Sequence, residues 1–164
     1  MARRCFYSFH YVPDNWRVSQ VRNIGVVEGN KPVTDNKWEE ITKGGDAAIK
    51  KWIDGELDGK TCLVVLAGSS TADRKWINYE IEQAWNAGKG VVAIYVHNLK
   101  DSNQNQSSKG KNPLLGFKLK NDKYISTYAK DYDPPYSLST NVYNHISENI
   151  ESWVEEAIKI RNNI

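Results

Sequence analysis

The residues best suited to chemistry lie in one continuous stretch, Ser69-Ser70-Thr71-Ala72-Asp73-Arg74-Lys75-Trp76-Ile77-Asn78-Tyr79-Glu80. It follows an apolar run and leads into a segment of helical periodicity. Trp76 and Glu80 are four residues apart and so share one helix face. That face lies beside the stripe of Ile77, Ile81 and Ala84, not on it. A carboxylate next to an aromatic wall is a setting that suits positive charge. The same spacing also fits a plain helix, with Trp76 packed on a neighbouring loop and Glu80 solvated. Spacing alone does not separate the two.

Other chemistry finds less support. The three histidines, His10, His97 and His145, have no zinc-ligand spacing. Cys5 and Cys62 sit in apolar runs without a CxxC partner, which predicts buried structural thiols. Gly88-Lys89-Gly90-Val91-Val92-Ala93 matches a dinucleotide fingerprint but precedes a strand, so its amides cannot meet a pyrophosphate at a helix start. Gly55 to Thr61 is one residue short of a P-loop and ends a helix. A phosphoacceptor receiver would need acids at the ends of its first and third strands. Those ends here are Phe9-His10-Tyr11 and Ala67-Gly68-Ser69.

The elements that must position these groups alternate along the chain. Cys5 to His10 reads as a strand, 15–22 as a short helix, and Ile24 to Val27 as a second strand. A polar stretch from Gly29 to Gly45 is long enough to be functional, with a local helical turn expected around Trp38 to Ile41. Asp46 is placed as the N-cap of a helix carrying Ile49, Trp52, Ile53 and Leu57. The continuous apolar runs Thr61 to Leu66 and Gly90 to Val96 predict strands covered on both sheet faces. Between them runs the helix of Ile77, Ile81 and Ala84, with Ser70 and Asp73 resembling a capping box. The polar residues 98–112 are expected to form a mobile surface loop, and 123–128 a last short strand. Val142, Ile146, Ile150, Trp153, Val154 and Ala157 stripe a C-terminal helix over 139–162.

This order predicts a single α/β domain over 1–164, three-layered and flavodoxin-like, with a mostly parallel sheet of about five strands and helices on both faces. Long surface segments are expected at 29–45 and 98–122. Ligands of such folds bind at the carboxyl ends of the strands. The composition agrees, with 164 residues, 40% apolar and 26% charged. A net charge of +2 from 22 basic and 20 acidic residues leaves no footprint for nucleic acid. No apolar run approaches the ~20 residues that span a bilayer, and Ala2-Arg3-Arg4-Cys5-Phe6 lacks the apolar core of a signal peptide. A cytoplasmic protein without nucleic-acid or membrane partners is therefore expected. Six Trp and nine Tyr are many for one domain, enough for a core and a stacking surface.

Phe6-Tyr7-Ser8-Phe9-His10-Tyr11 with Asp14 after it, Ser69-Ser70-Thr71, and Trp76 to Glu80 together resemble the Toll/interleukin-1 receptor (TIR) domain. Arg4 to Tyr11 and Lys109-Gly110-Lys111-Asn112-Pro113 are more similar to the TIR-like ThsB proteins of bacterial Thoeris anti-phage systems. The resemblance covers about residues 4–117, and the C-terminal helix fits the last TIR helix. The Arg-Asp-x-x-Pro-Gly loop of receptor-type TIR domains is missing, and the 29–45 segment stands in its place.

The resemblance implies an enzyme that splits NAD⁺ at the nicotinamide–ribose bond and forms a cyclic ADP-ribose isomer. That signal would activate a separate ThsA-type effector, with NAD⁺ as substrate and no further cofactor or metal. Nicotinamide leaves as a neutral molecule, so no general acid is needed. The oxocarbenium-like sugar wants a fixed carboxylate, and Glu80 is the catalytic candidate. Phe9, Tyr11 and Trp76 are candidates for an aromatic wall against the pyridinium. Ser8 and Ser69, at strand ends, are candidates to hold ribose or phosphate oxygens. His10 is either a nucleotide contact or a cap of the strand. His97 either reaches the same edge or makes a loop hydrogen bond. The 98–112 loop could serve as a lid. TIR enzymes often complete their sites between subunits, so a homo-oligomer is one alternative to a monomer. Two other functions stay open: an interaction module without catalysis, and an N-glycosyl hydrolase of nucleosides or nucleotides on the same fold.

Overall fold

In the computed structural model, residues 2–30, 33 and 35–164 are described. Three of its strands are buried along their whole length: β1 (Cys5–Ser8), β2 (Cys62–Ala67) and β3 (Gly90–Tyr95). With the short β4 (Asp131–Tyr132) they form a parallel sheet of order β1-β2-β3-β4. Cys5 pairs with Cys62, and Cys62 with Gly90, so the amino ends of the three long strands are aligned. Their carboxyl ends therefore form one edge, beyond Ser8, Ala67 and Tyr95. Both cysteines are buried free thiols, as their apolar surroundings predict.

The strand residues are apolar at both parities because each face is covered. Cys5, Tyr7, Val64, Leu66, Val92 and Ile94 pack toward α1 (Tyr11–Arg22) and α5 (Ser139–Asn162). Phe6, Leu63, Val65, Val91 and Ala93 face α3 (Gly45–Leu57) and α4 (Lys75–Asn86), with Ile41 of α2 (Asp35–Lys43) joining that cluster. Leu114, Ile125 and Ala129 complete the second layer. The result is the expected three-layer α/β fold.

The structure corrects the sequence reading in several places. Among the described residues the sheet has four strands where about five were expected. The segment expected as a strand at Ile24 to Val27 contributes a single bridge, Glu28 with Arg4, through Cys5 N–H to Glu28 O (2.7 Å) and Glu28 N–H to Arg3 O (2.8 Å). Gly25, in the left-handed region at φ 76°, and the following bends keep the rest out of register. The strand expected at 123–128 is a 3-10 turn, Ile125–Thr127, and the pairing falls later, at β4. Helix α1 begins at Tyr11, not at 15. Of the 29–45 segment, residues 31, 32 and 34 lie outside the described residues, and the expected turn is a full helix, α2.

Candidate active site

Helix α4 carries Glu80 in its second turn, and the way the chain enters that helix sets the carboxylate's position. Beyond β2 the chain turns over Gly68 to Arg74. Gly68 N–H donates to Thr71 Oγ1 at 2.8 Å, and Asp73 takes a left-handed φ of 67°. Arg74 is the extended N-cap residue and makes no side-chain cap. Ser70 and Asp73 therefore do not form the expected capping box. Ser70 Oγ instead lies 3.2 Å from His10 Nδ1, joining the turn after β2 to the end of β1. This gives His10 a place on the strand edge, paired with a residue 60 positions away.

Glu80 is 9% exposed, and its Oε2 has no hydrogen-bond partner among the described residues. Burial pushes its carboxyl up to about 8, because the low-dielectric surroundings disfavour the charged form. The opposing influence is the Ser8 hydroxyl, which lies near enough to favour the carboxylate. Ser8 Oγ is nevertheless outside hydrogen-bonding geometry and is itself buried without a partner. Glu80 is thus not the solvated helix residue that its spacing also allowed.

Two further buried groups reach the same sheet edge. Asp14 is paired through Oδ1 with Arg17 Nη1 at 3.0 Å, while its Oδ2 has no partner. A side chain at Gly68 would meet that Oδ2 at 2.1 Å, which sets the carboxyl directly against the turn after β2. Burial raises the Asp14 carboxyl, against the lowering by Arg17. His97, two residues beyond β3, is buried with Nδ1 unpartnered, edge-on to Tyr95. Burial lowers its imidazole.

The expected aromatic wall is only partly assembled. Phe9 and Tyr11 lie 6.2 Å apart, with Phe9 packed on the α1/α5 layer and Tyr11 exposed. Trp76 packs edge-on to Tyr79 at 5.8 Å and lies 4.9 Å below Lys75 Nζ, next to the other layer. Ser69 is exposed at the tip of the β2 turn. The strand edge thus brings together Ser8, His10, Ser69 and Glu80, with His97 just past the end of β3 beside them. Asp14, quoted in the sequence pattern, and Ser70 also belong to this set.

The turn after β2 and the start of α4 are covered by a segment that sequence reasoning placed in a surface loop. A methyl group at Gly110 would sit 2.4 Å from the Gly68 carbonyl oxygen and 2.7 Å from that of Ser69. One at Gly116 would lie 2.5 Å from Asn78 Oδ1 on α4. Only glycines permit this approach. The preceding residues are fastened too: Arg17 Nε donates to Leu99 O at 2.7 Å and Nη2 to Asn105 O at 2.9 Å. A cavity of about 380 Å³ lies elsewhere, between α1, the 98–106 loop and the start of α5, lined among others by Trp16, Gln20, Lys100 and Leu138. Among the described residues no cluster of three metal-ligating side chains occurs, and no helix is long and apolar enough to cross a membrane.

A parallel α/β sheet whose strand edge meets a helix-borne, buried glutamate is consistent with a TIR-like domain. Residues 6–101 match the family described as Thoeris protein ThsB, TIR-like domain. A protein of Bacillus cereus (strain MSX-D12) named "Putative cyclic ADP-D-ribose synthase ThsB1" is 36% identical over 129 residues, covering 74% of this chain and 67% of that protein. The chain belongs to the ThsB family of TIR-like Thoeris proteins.

Proposed function

We propose that this chain is an NAD⁺-consuming enzyme of bacterial anti-phage immunity. It breaks the nicotinamide–ribose bond and closes the ADP-ribosyl product to a cyclic isomer, which activates a ThsA-type effector. The observation that carries the reading is Glu80, a carboxylate buried at the strand edge with an oxygen unpartnered beside the Ser8 hydroxyl. The name of the Bacillus relative, "Putative cyclic ADP-D-ribose synthase ThsB1", supports the same product class.

The chemistry follows from that setting. As the C1′–N bond breaks, the bonding electrons leave with nicotinamide, which departs neutral. Positive charge is then left on the ribose C1′ and ring oxygen. An ionised Glu80 held in a poorly polarisable site stabilises this charge without reorganisation. In the free protein Glu80 holds its proton to unusually high pH, but the pyridinium brings an opposite charge that favours ionisation. An adenine nitrogen or a ribose hydroxyl of the same molecule then bonds to C1′ in place of water, which the cover helps to exclude, and the proton given up by the adenine amino group or the hydroxyl passes to the Glu80 carboxylate.

Wild-type protein and its Glu80→Gln variant, incubated with NAD⁺ and analysed by mass spectrometry, test this reading. Nicotinamide and a product of cyclic ADP-ribose mass are expected from wild type. The variant should be slower by about 10²-fold or more. Extracts of phage-challenged cells serve as a parallel assay. Absence of product from both sources overturns the catalytic reading.

One observation favours a different function, an interaction module without catalysis. Val12 is 86% exposed and Trp16 53%, both on α1. That reading requires protection against phage to survive Glu80→Gln.

A further inference from the structure

We propose, resting on the NAD⁺ reading, that Lys109 and Lys111 on the segment covering the site hold the diphosphate of the dinucleotide. The geometry begins with Gly110, whose backbone lies against the carbonyls of Gly68 and Ser69 at the end of β2. The two lysines flank that contact and so straddle the turn from which α4 and Glu80 depart. Lys111 Nζ pairs with Asp73 Oδ2 at 3.1 Å, within that turn, and Lys109 Nζ with Asp133 Oδ2 at 3.2 Å, just past β4. Lys109 Nζ also stands 4.6 Å over the Tyr95 ring, beside His97.

Charge decides where a diphosphate can go. The floor of the site is made of Glu80, Asp14, Ser8 and His97, and the buried cation beside them, Arg17, is fully engaged. Arg17 donates to Asp14 Oδ1, Pro13 O, Leu99 O and Asn105 O. A dianion thus finds no free cation on the floor and is drawn to the rim, where Lys109, Lys111 and Arg74 beside His10 lie. The nicotinamide ribose links C1′ to the diphosphate through a single sugar.

The two lysine–aspartate pairs are solvent-exposed on both partners, and such pairs contribute little to stability in water. Exchanging an aspartate for a phosphate oxygen keeps each ammonium paired while the cover stays closed over the substrate. The aspartates are then competitors for the phosphate. This gives the proposal a sign that a purely structural role lacks. If the pairs only fasten the cover, removing either partner loosens it alike. If the lysines bind phosphate, removing the lysine weakens binding and removing the aspartate strengthens it.

The experiment compares wild type with Lys109→Ala, Lys111→Ala, Lys111→Arg, Asp73→Asn and Asp133→Asn. It measures KM and kcat for nicotinamide release, together with calorimetric binding of ADP-ribose, inorganic pyrophosphate and adenosine. Each lysine-to-alanine change is expected to raise KM and the Kd of ADP-ribose about tenfold, with far less effect on kcat. Adenosine binding should not move. The two asparagine variants should lower both constants, and Lys111→Arg should retain most of the affinity. The proposal is overturned if lysine and aspartate variants shift the constants in the same direction, or if ADP-ribose binds all variants alike. Should NAD⁺ prove not to be a substrate, the pyrophosphate titration still decides: lysine-dependent binding upholds an anion site on the cover, and no binding to wild type sinks it.

Discussion

Glu80 couples function to stability through one proton. Its carboxyl is held up at about 8 in the folded protein against an ordinary value of 4.5, with burial as the larger cause and Ser8 opposing it. Between those two pH values the folded state carries a proton that the unfolded state has lost, so stability falls as pH rises through this window. Below it the cost is absent, and above it the cost is complete. Replacement by glutamine removes the titration but keeps the shape. Melting curves of Glu80→Gln should therefore match wild type near pH 4.5 and exceed it by roughly 5 °C or more at pH 8.5. An unchanged difference across that range would mean that Glu80 is solvated. At the same scale, the helical spacing of Trp76 and Glu80 was legible in the sequence, but their separation into different surroundings was not. Glu80 is carried against Ser8 of β1, whereas Trp76 stays beside Tyr79 of its own helix, whose hydroxyl donates to Asp54 of α3.

Among the elements, the segments after β3 depart most from their composition. Residues 98–112 look like a solvated, low-complexity loop, yet Arg17 ties Leu99 and Asn105 to α1, and Gln106 reaches Asn98 O and Ser137 O. Arg17→Ala would free this loop and leave Asp14 buried without its cation. Urea unfolding should register a loss of about 3–5 kcal/mol, whereas a solvated pair would cost less than about 1 kcal/mol. The cover itself depends on Gly110. In Gly110→Ala the methyl would meet two backbone carbonyls, which cannot swing aside as a side chain would. The expected result is faster hydrogen exchange at 107–112 and in the turn at 68–74, with the global melting temperature nearly unchanged. Wild-type exchange rates in both segments would show that the cover is not seated on β2.

For the whole molecule, the sheet is a wall between two apolar layers, and α5 closes one of them. Gly90 marks how near this helix comes: a side chain there would lie 2.7 Å from Ile158 N and 2.9 Å from the Ala157 carbonyl carbon. Gly90→Val must push α5 away from β3, opening space around the buried Val154, Ile150 and Ile146. A loss of about 1–3 kcal/mol is expected from overpacking alone. It should appear in a single cooperative transition, because α5 shares its layer with α1 and three strands. A separate early melting of α5 would contradict this. On the β1 side the sheet ends in one bridge to Glu28 where another strand was expected. That edge is blunted by a bend instead of by further pairing, which limits its exposure to other chains.

What the sequence determined by itself were the features governed by near neighbours in the chain. The continuous apolar runs located β2 and β3, the helical stripe located α5 over its full length, and the Trp76–Glu80 spacing located the helix that bears the carboxylate. The strand runs are continuous because both sheet faces are covered, and the helical features recur every 3.6 residues, a period set by backbone geometry. Only the tertiary structure decided that Glu80 is buried and proton-retaining, that Ser70 serves His10 instead of a helix end, and that a polar loop lies closed over the site. Those outcomes depend on pairs far apart in the chain, such as Arg17 with Leu99 at a separation of 82 residues. Desolvation acts through space and is indifferent to chain order, so no local pattern records it.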